Sequence, residues 1–357
     1  MSVAYTAIGW NRQKRLYDAA VVGGVLLFVG LFFAIGKFAG RGPEVERVHD
    51  DAMLLIRALG TCGLVLLHIV LWIGPLARLD PRLLPLLYNR RHLGVLTFLI
   101  GLAHAAITLV QYHGFGNVNP LVSLFTSNTN FTSLAEFPFE LLGLAALVIL
   151  FLMAATSHDF WLAVLSPRVW KWLHMSVYAA YALLVMHVVL GVLQQDRSPL
   201  LPLLLIAGVA ITAGLHIAAG LREHARDTRG DALLDGLIDA GPTGEIALNR
   251  ARVVCTSSAE RIAVFKHTAN GKACISAVAN VCAHQQGPLG EGKVIDGCIT
   301  CPWHGYQYHP ADGCAPPPFT EKISTYRVTL RGGRVLIDPK ACPPGTPIAP
   351  AEVPDAG

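Results

Sequence analysis

Two short loops hold the residues best suited to metal chemistry. Cys282-x-His284 is followed by sixteen residues and then by Cys301-x-x-His304. Two thiolates and two imidazoles can close a tetrahedral zinc site. They can also divide between the irons of a [2Fe-2S] cluster, thiolates on one and imidazoles on the other. The one-residue gap of Cys-x-His is shorter than the usual zinc spacing of about two to four. One Cys and one His per loop would let each loop reach both irons. Gly287-Pro288 after the first pair and Gly305 after the second suit tight turns around an inorganic core.

These motifs carry a resemblance. The segment from Ile246 to Asp338 resembles a Rieske domain, and "CPWHG" is similar to the second cluster loop of bacterial Rieske ferredoxins and oxygenase components. The resemblance implies one [2Fe-2S] cluster on Cys282, His284, Cys301 and His304. Gln286-Gly287 and Trp303 stand where the Rieske proteins of bc complexes carry a bridging Cys pair, and Tyr306 stands where they carry a Ser that donates to the cluster. Fewer hydrogen bonds to sulfur lower the potential, so a ferredoxin-like, low-potential centre is expected. Tyr308 is a remaining candidate donor to a cysteine sulfur. Cys298 forms a C-x-x-C with Cys301, but no helix start follows. It is expected as a small strand residue, as are Cys255, Cys274, Cys314 and Cys342.

A second set of candidates lies in apolar surroundings, where an ionisable side chain is a functional suspect. His92 and His104 share one apolar stretch, His174 and His187 another. The separations of 12 and 13 residues correspond to roughly 18 and 19.5 Å along an α-helix. Two such helices can face two imidazole pairs at two depths, His92 with His174 and His104 with His187. That is the ladder required for bis-imidazole ligation of two stacked hemes. C-x-x-C-H is absent from the sequence, so the hemes would be b-type. The alternative is four satisfied core histidines. His68, inside another apolar stretch, is an alternative inner-heme ligand, a buried polar residue or a substrate or quinone contact. His216 is expected to be structural, and His113 and His158 to be solvated.

The stretches "GPLARLDPRLLPLLYNRRHLGVLTFLIGLAHA" and "WKWLHMSVYAAYALLVMH" resemble ferric-reductase-like membrane domains, in the style of the heme-binding membrane subunit of bacterial periplasmic methionine sulfoxide reductase. The resemblance covers about Arg15 to Leu221 and implies six spans and two hemes, with His104, His174 and His187 as the best-matched ligands. Arg78, Arg90 and Arg91 are expected to set topology or to pair with inner-heme propionates, and Arg57 to do so at the outer heme.

The elements that must position these groups follow from composition. The 357 residues have a mean hydropathy of +0.48 and 15% charged side chains, well below the quarter of a soluble domain. Six uncharged apolar stretches reach spanning length: Ala19–Gly36, Ala58–Ala77, Leu93–Tyr112, Leu141–Ser157, Leu173–Gln194 and Ser198–Leu221. The connections on one side carry twelve Lys and Arg, from Arg12 to Arg229, against five on the other (Lys37, Arg41, Arg47, Arg57, Arg197). This asymmetry predicts an inner-membrane, multi-pass protein with both termini in the cytoplasm. Beyond the bundle (1–221) we expect a charged linker or short amphipathic helix (222–245), an all-β domain (246–338) and a disordered Pro-rich tail (339–357). Asn270-Gly271 and Gly332-Gly333 mark hairpins.

The fold class expected is therefore a six-helix transmembrane bundle followed by a small all-β domain. The function expected is electron transfer between the cytoplasmic cluster and the hemes, outward to ferric ion, quinone or a periplasmic redox partner. Quinol-fed flow in the reverse direction, and a membrane-anchored redox sensor, are the alternatives. No dinucleotide-binding G-x-G-x-x-G follows a strand, so a cytosolic ferredoxin or flavin reductase is the expected donor. The net charge of +4 gives no reason to expect nucleic acid.

Overall fold

The computed structural model describes residues 12–39, 51–157, 161, 164–195, 198–229, 231, 233–256, 258, 260–303 and 305–354. His304 and His158, and the cations Arg41, Arg47 and Arg197, lie outside the described residues. The chain forms two compact units, residues 10–74 with 89–216, and residues 75–88 with 217–357.

The first unit is helical. Its elements are α1 (Arg12–Ala39), most of α2 (Asp51–Leu79), α3 (Arg90–His113), a short α4 (Pro120–Thr126), α5 (Phe139–Ala155), α6 (Pro167–Met175), α7 (Val177–Leu190), a one-turn α8 (Val192–Gln195) and the first half of α9 (Leu200–Arg229). Among the described residues five helical stretches are long and apolar enough to cross a membrane: Lys14–Phe38, Asp51–Leu79, Pro81–His113, Arg168–Gln195 and Leu200–Ala225. The fourth expected span is the shorter α5, whose 17 residues rise about 25 Å against about 30 Å of hydrocarbon. Leu26, Leu27, Leu31 and Ile35 of α1 are exposed apolar side chains, which suits a helix whose solvent is lipid. The stretch α6–α7 is interrupted at Ser176, whose hydroxyl donates to the Leu173 carbonyl at 2.5 Å, a bond that competes with the helix ladder and bends it.

Among its described residues the second unit carries twelve short strands: β1 (Leu233–Leu234), β2 (Leu237–Pro242), β3 (Arg250–Cys255), β4 (Arg261–Ala269), β5 (Lys272–Ala279), β6 (Lys293–Ile295), β7 (Cys298–Thr300), β8 (Gln307–Tyr308), β9 (Thr325–Tyr326), β10 (Val328–Arg331), β11 (Arg334–Ile337) and β12 (Ala351–Glu352). They form sheets of order β1-β2-β11-β10, β12-β5-β4-β3 (with β9 also on β5) and β6-β7-β8, all antiparallel. The two hairpins expected from Asn270-Gly271 and Gly332-Gly333 join β4 to β5 and β10 to β11, with all four turn residues at positive φ. Ile262 and Val264 of β4 enter a core with Ile238, Val335 and Ile337. The alternate residues Ala263 and Phe265 enter a second core with Cys282, Ile299, Cys301 and Tyr308.

Two expected boundaries are corrected. The segment 222–245 is helical at its start, where α9 continues to Arg229, but it is not a linker beyond, since β2 pairs with β11. The charged helix end is held by Arg261 on β4, which bonds Glu223 and, at 2.7 and 2.8 Å, Asp227. The segment expected as a disordered tail packs as far as it is described. β12 adds to the β5 edge, Val353 N–H donates to the Ala273 carbonyl at 2.8 Å, and Thr325 Oγ1 donates to the Thr346 carbonyl at 2.9 Å. Its prolines remove few ladder donors because the added strand is two residues long.

Candidate functional site

The first candidate site is built by the turns after β5 and β7. Cys282 N–H donates to the Gly287 carbonyl and Gln286 N–H to the Cys282 carbonyl, at 2.9 and 2.8 Å. The second loop repeats the device, with Cys301 N–H to Tyr306 O at 2.8 Å and Gly305 N–H to Cys301 O at 2.9 Å. Gln286 and Gly305 take positive φ to close these turns. Asn280 anchors the first loop, its Oδ1 accepting from Gly290 N–H at 2.6 Å and its carbonyl from Leu289 N–H at 3.1 Å.

The loops bring Cys282 and Cys301 together, each 1% exposed. A hydrogen bond from the Cys301 thiol is the main influence that brings the Cys282 pKa down from 9.0 to about 7. The Tyr308 hydroxyl and the amides of His284 and Gln285 help, and burial opposes them. A thiolate is the form a metal needs. Tyr308 O–H stands 3.3 Å from Cys282 Sγ, and burial and the neighbouring sulfur push its own pKa up, so it stays a donor. The His284 ring stacks on Tyr306 with centroids 4.6 Å apart and planes 10° apart, and the Tyr306 hydroxyl is gripped by the Glu321 carboxylate. A Cβ at Gly287 would fall 2.8 Å from Cys301 Sγ, so the backbone closes over the sulfurs where no side chain fits. Buried, facing thiols capped by bare backbone suit an iron–sulfur core. Among the described residues no group of three metal ligands forms, and the fourth expected ligand, His304, is outside them. Cys298 is a buried strand residue 3.7 Å from His309 Nδ1.

The second candidate site lies in the helical unit. His104 on α3 and His187 on α7 face each other, ring centroids 6.4 Å apart and planes at 87°. Two metal–imidazole bonds of about 2 Å, plus about 1 Å from each nitrogen to its ring centre, sum to about 6 Å. The pair is therefore spaced for one iron between the rings. His104 Nδ1–H donates to the Ile56 carbonyl at 3.0 Å and His187 Nδ1–H to the Phe139 carbonyl at 2.8 Å. Such bonds fix the tautomer and present Nε2 as the ligand atom. Among the described residues neither Nε2 has a hydrogen-bond partner. Glycine makes room: a Cβ at Gly60 would meet His104 at 3.0 Å, and one at Gly143 would meet His187 at 2.8 Å.

The other histidines are held differently. His174 Nδ1–H donates to the Trp170 carbonyl at 3.0 Å, and the two rings stack 3.7 Å apart. His92 Nδ1–H donates to both Asp18 oxygens, at 2.8 and 3.0 Å. His68 is 2% exposed and its Nε2 is 2.9 Å from the Tyr181 hydroxyl. A Cβ at Gly208 would lie 2.3 Å from that nitrogen, so the atom has no open face for iron and His68 reads as a packed polar residue. His216 bonds Thr212 O and Tyr178, as a structural residue would. His113 is buried against Ser123 and Glu140 rather than solvated.

Of the candidate arginines, Arg78 pairs with Glu291 at 3.1 Å within the second unit. The Arg90 guanidinium lies against Gly74, 3.3 Å from where a Cβ would stand, and Arg91 follows it in the first turn of α3. Arg57 is half-buried on α2, next to Ile56. Sequence reasoning missed Asp18, Glu321 and the glycines against the histidines. The signal for Asp18 was the one acid in α1, four residues after Lys14 at the charged start of the helix.

Comparison with known proteins follows this division. Residues 59–185 match the ferric reductase like transmembrane component family, and residues 237–327 match the Rieske [2Fe-2S] domain family. The protein-methionine-sulfoxide reductase heme-binding subunit MsrQ of Caulobacter vibrioides is 31% identical over 193 residues, which are 54% of this chain and 85% of that protein. Chlorophyllide a oxygenase of Arabidopsis thaliana is 37% identical over 84 residues, 22% of this chain and 16% of the oxygenase. Among solved structures, the ferredoxin of Sphingomonas yanoikuyae B1 is 26% identical, covers 29% of this chain and 99% of its own, and has a TM-score of 0.26. The chain belongs to the MsrQ family of protein-methionine-sulfoxide reductase heme-binding subunits, with a ferric-reductase-like membrane domain followed by a Rieske [2Fe-2S] domain.

Proposed function

We propose that this chain is a transmembrane electron-transfer protein linking a cytoplasmic Rieske cluster to two b-type hemes and delivering electrons outward. Cys282, His284, Cys301 and His304 hold the cluster, His92 and His174 the inner heme, and His104 and His187 the outer heme. The observation that carries the reading is the His104–His187 pair, spaced at 6.4 Å with both Nδ1 atoms committed to backbone carbonyls. Bound in these places, the cluster and hemes would each accept and release one electron at a time.

The work of the protein is to hold, orient and exclude. The carbonyls of Ile56, Phe139 and Trp170 fix imidazole tautomers, and Tyr308 donates toward a cluster sulfur. α5 serves as a sixth span, thin for the bilayer but capped at both ends by polar residues, Glu140 and Thr156-Ser157. The Lys and Arg asymmetry supports cytoplasmic termini. A cavity of ≈ 490 Å³ is lined by Asn128, Glu136, Phe137, Phe139, Leu190 and Gln194; Phe139 is the residue whose carbonyl accepts from His187 Nδ1–H, which supports access for an acceptor near that ring. A ferredoxin or flavin reductase is the donor class. Ferric ion, a quinone or an external redox protein is the acceptor class, and the relatives' name, a subunit of a reductase, favours the last.

The test is spectroscopic and vectorial. Purified protein should show low-spin bis-histidine heme and a reducible [2Fe-2S] signal, and His104→Ala with His187→Ala should remove one heme and leave the cluster. In sealed vesicles, a donor on the cluster face should reduce the hemes and then an impermeant acceptor on the other face. Full heme retention in the double variant would sink the ligand assignment, and reduction confined to the donor face would sink the transfer.

A further inference from the structure

The four ladder histidines do not have equal partners. Nδ1–H of His104, His187 and His174 each donates to a neutral backbone carbonyl, at 3.0, 2.8 and 3.0 Å. Nδ1–H of His92 donates instead to a carboxylate, Asp18, with both oxygens within 3.0 Å. Asp18 sits on α1, outside the segment that matches the ferric-reductase-like family and inside a stretch otherwise apolar enough to span a membrane. An acid in that setting is disfavoured unless it has a specific partner, and here the partner is an expected iron ligand.

Resting on the reading that His92 ligates the inner heme, we propose that Asp18 holds the reduction potential of that heme below the potential at the His104–His187 pair. Electrons then run downhill from the His92 level to the His104–His187 level. A carboxylate on Nδ1–H draws the proton toward itself and leaves Nε2 more basic. A more basic ligand favours the ferric over the ferrous ion, and a carbonyl dipole does so less. Lys14, one turn before Asp18 on α1, and Arg90 and Arg91, beside His92, carry the opposite charge and act against Asp18. The carboxylate bonds the ligand ring itself, at 2.8 and 3.0 Å, and that bond sets the direction of the shift. Asp18 is thus a positioning and potential-setting residue, reaching the heme through His92.

The experiment is a redox titration of the full chain, followed by heme absorption and low-temperature EPR. His92→Ala and His104→Ala identify which midpoint belongs to which level. In the wild-type protein, the heme lost in His92→Ala should have the lower midpoint. Asp18→Asn should shift its reduction equilibrium at least tenfold toward the ferrous form, about 59 mV for one electron, and leave the other heme unmoved. Asp18→Glu should stay close to wild type. The proposal is overturned if the His92-level heme has the higher midpoint, or if Asp18→Asn keeps both hemes and shifts the reduction equilibrium of the His92-level heme less than tenfold toward the ferrous form. A Glu variant that shifts as far as the Asn variant also overturns it, by assigning the effect to packing. If Asp18→Asn loses the heme, Asp18→Ser is titrated in its place and judged by the same tenfold shift, and loss of the heme there too overturns a role confined to the potential. Retention of two bis-histidine hemes in His92→Ala would instead refute the ligand reading beneath it.

Discussion

Gly143 on α5 lies against His187 on α7 so closely that a methyl group on its Cα would stand 2.8 Å from the imidazole Nδ1. That atom carries the proton bonded to the Phe139 carbonyl, four residues earlier on α5. The glycine and the carbonyl together fix where the ring points. Gly143→Val should therefore push His187 off its bond and abolish one low-spin heme signal while the cluster signal persists. Heme-to-protein ratio and EPR of the purified variant check this, and an unchanged ratio would contradict it.

The cluster pocket has its own glycine. A Cβ at Gly287 would meet Cys301 Sγ at 2.8 Å and Trp303 at 3.1 Å. Gly287→Ala should lower cluster occupancy several-fold, because the two cysteine loops would have to separate. Iron analysis and the EPR amplitude of the reduced protein measure it. Heme absorption should be unaffected.

Tyr308 places its hydroxyl 3.3 Å from Cys282 Sγ. A hydrogen bond to sulfur favours the reduced cluster, so Tyr308→Phe should lower the midpoint. A bond worth about 1 kcal/mol corresponds to roughly 40 mV for a one-electron couple. Protein-film voltammetry is the measurement, and a rise in the midpoint would contradict the assignment.

The C-terminal segment should matter for stability. Removing it from residue 349 onward deletes β12, the Lys272–Glu352 ion pair at 2.7 Å and the Val353–Ala273 bond, and bares the edge of β5. The expected cost is about 1 kcal/mol, or roughly 4–8 °C in the unfolding of the β-rich unit. Thermal unfolding followed at the cluster absorption reads it, and an unshifted Tm would show the strand to be dispensable.

What the sequence revealed depended on whether the information was local. The Cys282 and Cys301 loops were legible because ligand spacing and turn glycines lie within a few residues of one another. The pairing of His104 with His187 was legible from matched separations on two helices. Arg261 was not, since it reaches back to Glu223 and Asp227 from a strand more than thirty residues away, and so the charged end of α9 read as a linker or short amphipathic helix. Pro-rich composition concealed β12, because a two-residue strand leaves almost no periodic signal. Asp18 fell just outside the first apolar window, and its value lies in a contact with His92, 74 residues on. The glycines at 60, 143 and 287 look ordinary in sequence and acquire meaning from what packs over them.

Strand β4 is a wall shared by two rooms. One face supports the sheet of β2 and β11, and the other supports the cysteine loops. A partition of that kind cannot be lost from one side alone. Metal bound between the loops therefore braces the remote sheet as well, and a strong chelator should act on this unit as a denaturant, lowering the temperature at which all of its strands come apart together.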